Sequence, residues 1–388
     1  LNILKLSFKN NINNINNIKM ERSHCVFCNN TLFSFSFYLI NTINIISINK
    51  FNPNELKKLK FISCKNCGCV QLQNLFLQSD LYLQPLQIFD GNAYITHNNL
   101  FCEFVTNNIN FEEKLFEIGG SYGKLAKLII QKYKENNKEI TYKILEYDST
   151  QYPEIDNIEY ISYDCELYDY NNINTIIMSH VFEHLYNPRK FIEKISNTNV
   201  KNIFISIPDM DNLLKNNDIN NLNILHTYYI NTGYLVSLMS KNGFKMLKMF
   251  NYTNNSIFYY FNKNINTDII EYTNLNLPKN QKLFYKKMKL NIKNIIIEEP
   301  FFICPSGFYG QFIYFNLNKN TRSNLRGFLD SDIFKINKRL SGTKMNIFEK
   351  NEISNYNKIT VLISSVKHNT EIKKELSLYN NNIIFIEI

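Results

Sequence analysis

An α/β fold built on a doubly wound sheet is predicted by three features of the 388-residue chain. From about residue 97 to 262, short β-rich apolar runs alternate with helical stretches, the pattern of strands and crossover helices. The segment LFEIGGSYGKL, residues 115–125, places a glycine turn between the first of these strands and its helix. The next run, KILEYD, closes on an acidic residue at a strand tip.

Strand signals fall at Leu115 to Ile118, Tyr142 to Leu145, Ile173 to Met178 and Ile203 to Ile207, with helical spacing over Leu125 to Tyr133 and Phe191 to Ile195. Ligands of an open sheet collect beyond the carboxyl ends of its strands, near the first glycine turn. Gly119 and Gly123 let a backbone approach such a ligand, and Glu117 is suited to a cationic or amino group on it. The turn lacks the G-K-[ST] ending of a phosphate loop and the full G-x-G-x-x-G dinucleotide pattern. Glu146 ends the second strand, where a carboxylate can accept from both hydroxyls of a ribose. Asp164, in YISYDCELY, falls in a loop before the fourth strand and suits an adenine amino group; an exposed loop aspartate is the plain alternative.

Two C-x-x-C pairs precede this region, Cys25 with Cys28 and Cys64 with Cys67. Each spacing lets one knuckle aim two thiolates at one ion, so two knuckles complete a tetrahedral structural zinc site. Gly68 eases the second knuckle, and the symmetrical spacing favours Cys67 over its neighbour Cys69. Apolar runs at Phe33 to Ile40 and Ile43 to Ile48 supply small strands between the knuckles, and four bound thiolates would fold a module too small to do so by its core.

The segment NTIIMSHVFEHLYNPRKF sets His180 just past a strand and Glu183 and His184 on a following helix. His180, Glu183 and His184 alone spell H-x-x-E-H, an inverted metalloprotease signature, so a zinc metallohydrolase is the alternative from another chemical class. That reading needs a further ligand from a nearby element and leaves the glycine and acid series unexplained.

Bulk properties narrow the rest. The chain carries 43 basic and 34 acidic residues, formal charge +9, with the lysines dispersed, which argues against nucleic acid as a partner. Its 64 asparagines lie over a pattern that is 44% hydrophobic; residues 1–20 read as a frayed arm. No apolar run approaches the length of a membrane span, and the eight cysteines fit a reducing, cytoplasmic setting.

Taken together, EIGGSYG, the strand-end Glu146, YDCE and SHVFEHLYNP resemble a class I S-adenosylmethionine-dependent methyltransferase. With the four cysteines ahead, the chain is similar to the zinc-binding, three-part methyltransferases that include nucleotide-sugar C-methyltransferases. ICPSGFYGQF at 303–312 and GFLDSDIFKINKRLSGTKM at 327–345 resemble that group's Rossmann-like third part. The resemblance implies a zinc module over 21–80, a cofactor-binding domain over 81–262 and a Rossmann-like domain over 263–388. It implies that Glu117, Gly119, Gly123, Glu146 and Asp164 bind S-adenosylmethionine, with His180 and Phe182 lining its pocket. The acceptor would be a nucleotide-linked sugar. Where this group carries Tyr-His-Glu-His, this chain has NILHTYY, leaving His226 as the expected base; a cofactor-binding protein with little activity is the reading that this reduction leaves open.

Overall fold

The computed structural model describes residues 20–82, 92–111, 113–219, 223–252, 256–263, 266–366 and 368–388. The expected arm over 1–20 lies outside them except for Met20.

The N-terminal part is a three-stranded antiparallel sheet of β1 (Phe33–Thr42), β2 (Leu56–Cys64) and β3 (Val70–Leu72). A register shift between Phe35 and Phe37 rotates β1 so that Phe37 and Leu39 turn inward. Phe37 stacks on Phe61 at 4.9 Å between ring centroids, joining the two strands across one face.

The central sheet has seven strands: β4 (Leu115–Ile118), β5 (Tyr142–Glu146), β6 (Ile158–Ser162), β7 (Thr175–Ser179), β8 (Asn202–Pro208), β9 (Lys245–Tyr252) and β10 (Ser256–Asn262). Their order is β6-β5-β4-β7-β8-β10-β9, parallel except for β10, which runs antiparallel to both neighbours. The order reverses between β4 and β7, so the connections that leave their carboxyl ends turn to opposite faces of the sheet and open a crevice there. The inner strands read TIIMS and NIFISIP, buried nearly throughout, as a sheet covered on both faces requires.

Helices α1 (Asn92–Thr106) and α2 (Lys124–Glu135) pack together on one side of this sheet, and α3 (Pro188–Ser196) and α4 (Thr232–Lys241) contact each other. Helix α2 buries Leu125, Ala126, Ile129, Ile130 and Tyr133, a single stripe at helical spacing. Pro188 opens α3, where its missing N–H is no loss, and the Asn187 side chain accepts from Lys190 N at 3.2 Å.

After α5 (Leu277–Lys293) comes a second sheet of β11 (Phe301–Cys304), β12 (Leu325–Asp330), β13 (Ile347–Glu349), β14 (Ile359–Ile363) and β15 (Ile383–Ile386). Its order is β13-β12-β11-β14-β15, all parallel, and α6 (Phe308–Asn316) follows its first strand. Its Asp330 is already engaged: Ser306 N–H and Oγ–H donate to Oδ2 at 3.0 and 2.7 Å, and Lys335 Nζ reaches the same oxygen at 3.0 Å. Among the described residues no helix is long and apolar enough to cross a membrane.

Candidate functional site

The four knuckle cysteines converge. Their Sγ atoms lie within 4.8 Å of one another, Cys25 and Cys67 being 3.5 Å apart and Cys28 and Cys64 3.4 Å apart. Four sulfur donors from two turns fit a tetrahedral zinc ion. Cys69 stands apart, its thiol directed at Val70 O at 3.7 Å. Gly68 is required in its turn for two reasons: its φ is +80°, and a Cβ there would meet Asn274 O at 2.0 Å.

At the carboxyl ends of β4, β5 and β7 lies a cavity of about 440 Å³. Its floor is the turn after Ile118. Gly119 has φ +73°, and a Cβ there would sit 2.4 Å from Val181 Cγ2, so only glycine holds the backbone in this bend. Glu146 stands on one wall, its Oε1 accepting from Ser121 N–H. Burial raises the Glu146 carboxyl to about 7, against the pull of that N–H. Asp164, His180 and His226 also line the space.

Three of the expected ligand contacts lie elsewhere. Glu117 does not line the cavity. Its side chain is buried under the turn, where a Cβ on Gly120 would lie 2.9 Å from Glu117 Cδ, and desolvation raises its carboxyl to about 8. Gly123 caps α2 with φ +67° and faces Ile158, Tyr160 and Ile155 instead of the opening. Phe182 is fully buried in the core rather than set on the pocket wall. The segment makes a 3₁₀ turn over Phe182–His184 that sends Phe182 inward while Glu183 and His184 reach the cavity.

That turn also changes the H-x-x-E-H reading. The signature needs one continuous helix, but His180 has φ +55° and the helical turn begins only at Phe182. His180 instead contacts Ser256 Oγ through Nε2 at 2.9 Å and Glu183 Oε1 through Nδ1 at 3.3 Å. The donors that gather are Glu183, His184 and His226. Burial alone would raise Glu183, yet the His180 contact and the neighbouring imidazoles hold it well below the usual carboxylate range. Burial pushes His184 down, toward the neutral imidazole.

Several cavity residues carried no readable signal in the sequence. Tyr82, Tyr94, Gln151, Tyr152, Asn223 and Phe308 also line the cavity, Phe308 arriving from α6 of the second sheet. Tyr82 hydroxyl meets His184 Nδ1 at 3.3 Å, and Gln151 Nε2 donates to Tyr82 O at 2.9 Å, so this tyrosine ties the two walls.

No protein-family model matches the chain, and no curated protein matches it. Solved structures do. A SAM-dependent methyltransferase from Aquifex aeolicus is 12% identical with a TM-score of 0.33, over 45% of this chain and 100% of that one. The magnesium protoporphyrin IX methyltransferase of Synechocystis is 10% identical with a TM-score of 0.34, over 44% and 83%. The CurJ carbon methyltransferase is 11% identical with a TM-score of 0.34, over 45% and 56%. At such scores the fold assignment rests on the strand order: a doubly wound sheet with one reversed strand, consistent with a class I methyltransferase-like fold and joined to a four-cysteine cluster.

Proposed function

We propose that the protein transfers a methyl group from S-adenosylmethionine to a small-molecule acceptor, a nucleotide-linked sugar methylated on carbon or oxygen. The observation that carries this reading is the two-sided cavity. One wall offers the Gly119 bend and Glu146, which suit an adenosine-bearing ligand; the other offers the imidazoles of His180, His184 and His226. Asp164, at the same rim, suits the adenine amino group.

The sulfonium of the bound cofactor supplies an activated methyl. The chain then has to align the acceptor and accept one proton, and alignment alone is worth several kcal/mol, on the order of 7 or more in well-oriented systems. His226 and His180 are the two imidazoles proposed to face the acceptor and manage that proton. Phe308 places the second sheet's helix at the same opening, so an acceptor larger than one ring would touch both sheets. Glu117 contributes through the floor of the turn, not by contact with ligand.

The test is calorimetric binding of S-adenosylmethionine, followed by incubation with nucleotide-linked keto sugars and mass spectrometry for a methyl-sized gain. Binding with transfer supports the reading. Binding with no transfer to any sugar nucleotide supports the cofactor-binding alternative, and no binding refutes both.

A further inference from the structure

Glu183, His184 and His226 offer three donor atoms within 4.8 Å of one another on the acceptor wall of the cavity. They come from separate places, the turn Phe182–His184 and the segment leading into Tyr228. Glu183 is 0% exposed; one carboxylate oxygen meets His180, and the other, Oε2, has no hydrogen-bond partner. A buried carboxylate oxygen with nothing donating to it is costly, and a neighbouring cation removes that cost. Two imidazoles and one carboxylate on one side of an ion leave its remaining positions open to a ligand.

We propose that Glu183, His184 and His226 bind a divalent cation of the manganese-to-zinc series, whose open positions face the cavity and hold an oxygen of the acceptor. The site is separate from the four cysteines in donor type as well as place: nitrogen and oxygen here, thiolate there. Naming the acceptor oxygen as the ligand rests on the methyl-transfer reading; the cation site itself does not. With the ion present His226 is a ligand, and the acceptor's proton passes to His180, which stands 3.3 Å from Glu183 and completes the wall.

The experiment uses the full chain carrying its structural zinc, dialysed against Mn²⁺ or Zn²⁺ and analysed for metal content, with Mn²⁺ titrated by electron paramagnetic resonance. The expected result is one further ion per chain, with affinity falling at least tenfold in His226→Gln and in Glu183→Gln. His226→Gln guards the test, since His226 is only half-buried and its loss leaves the core intact. No saturable ion beyond the zinc of the cysteines overturns the proposal, and so does an ion whose affinity neither variant changes. S-adenosylmethionine binding measured on the same samples separates the two readings: cofactor without the second ion sinks only this proposal, and the ion without cofactor sinks only the methyl-transfer reading.

Discussion

The proposed contact between Glu146 and a ribose makes cofactor affinity depend on pH in a direction the structure sets. Burial raises the free carboxyl to about 7. Ribose hydroxyls donate best to the ionised form, so binding must pull the proton off below that value. Affinity is then full above about pH 8 and falls toward tenfold weaker for each unit below 7, at about 1.4 kcal/mol per unit. Between pH 8 and pH 6 the expected loss is about tenfold. Glu146→Gln keeps the shape and removes the charge; losing charge-assisted hydrogen bonds of about 1.5–3 kcal/mol weakens binding by roughly 10- to 150-fold at pH 8. The variant's affinity should also be flat from pH 6 to 8. The assay is calorimetry with 5′-methylthioadenosine, which keeps the ribose and lacks the titrating amino acid of the full cofactor. A wild-type affinity that does not change over this range, or a variant within threefold of wild type at pH 8, refutes the ribose assignment.

Removing the metal from the cysteines, by chelation or by Cys64→Ser, should lower the melting temperature sharply and release one zinc per chain, because the module's small core depends on the ion; unchanged melting argues against a structural zinc. Gly119→Ala forces a side chain into φ +73° and onto Val181, so cofactor binding should fall, and adding Val181→Ala should restore it only in part because the backbone strain of about 1–3 kcal/mol remains; full rescue would mean the clash alone mattered. Glu117 keeps its proton in the folded state up to about 8 while the unfolded group ionises near 4.5, so it contributes stability that is present below 4.5 and lost as pH rises toward 8. Urea melts should show Glu117→Gln gaining on wild type over that window; equal slopes would place the carboxyl in solvent.

The parallel core was legible because its strands are short runs of buried β-formers closed by chemical punctuation: EIGG at Ile118, KILE at Glu146, and the apolar IIM of β7. The hairpin of β9 and β10 was not. KMLKMFNY is mostly exposed along a sheet edge and carries no alternation to mark it, and β6, IEYIS, is likewise half-exposed at the opposite edge. Knuckle spacing was local and therefore readable, whereas the cavity's second wall depends on pairings between distant residues. Nothing near Phe308 announces that α6 would meet a crevice formed by β4 and β7. The burial of Glu117 and Phe182 has one cause: a motif specifies that a residue sits beside a turn, but a single rotation of the backbone decides whether its side chain faces cavity or core.

The position of the cysteine module gives it a part in the site beyond its own folding. Strand β3 begins three residues after Cys67 and pairs with the stretch that follows His226: Leu72 N–H donates to Thr227 O at 2.7 Å and Tyr229 N–H to Val70 O at 2.8 Å. Arg22, just before the first knuckle, closes the same seam. Its guanidinium donates to Thr227 O at 2.7 Å, Thr227 Oγ1 at 2.8 Å and Tyr186 O at 2.9 Å, joining the segment of His226 to that of His184. The two bonds to Thr227 are buried, and burial lowers the guanidinium only to about 10, so it stays charged at neutral pH. Hydrogen bonds from a charged donor are each worth about 1.5–3 kcal/mol, enough to hold two loops in one register. An imidazole pair on loops alone would wander by more than the fraction of an ångström that proton transfer or metal binding tolerates. Anchoring one loop to the strand that follows the four-cysteine cluster and the other to a buried arginine fixes both against one seam, which gives the cysteine module a place beside this cavity.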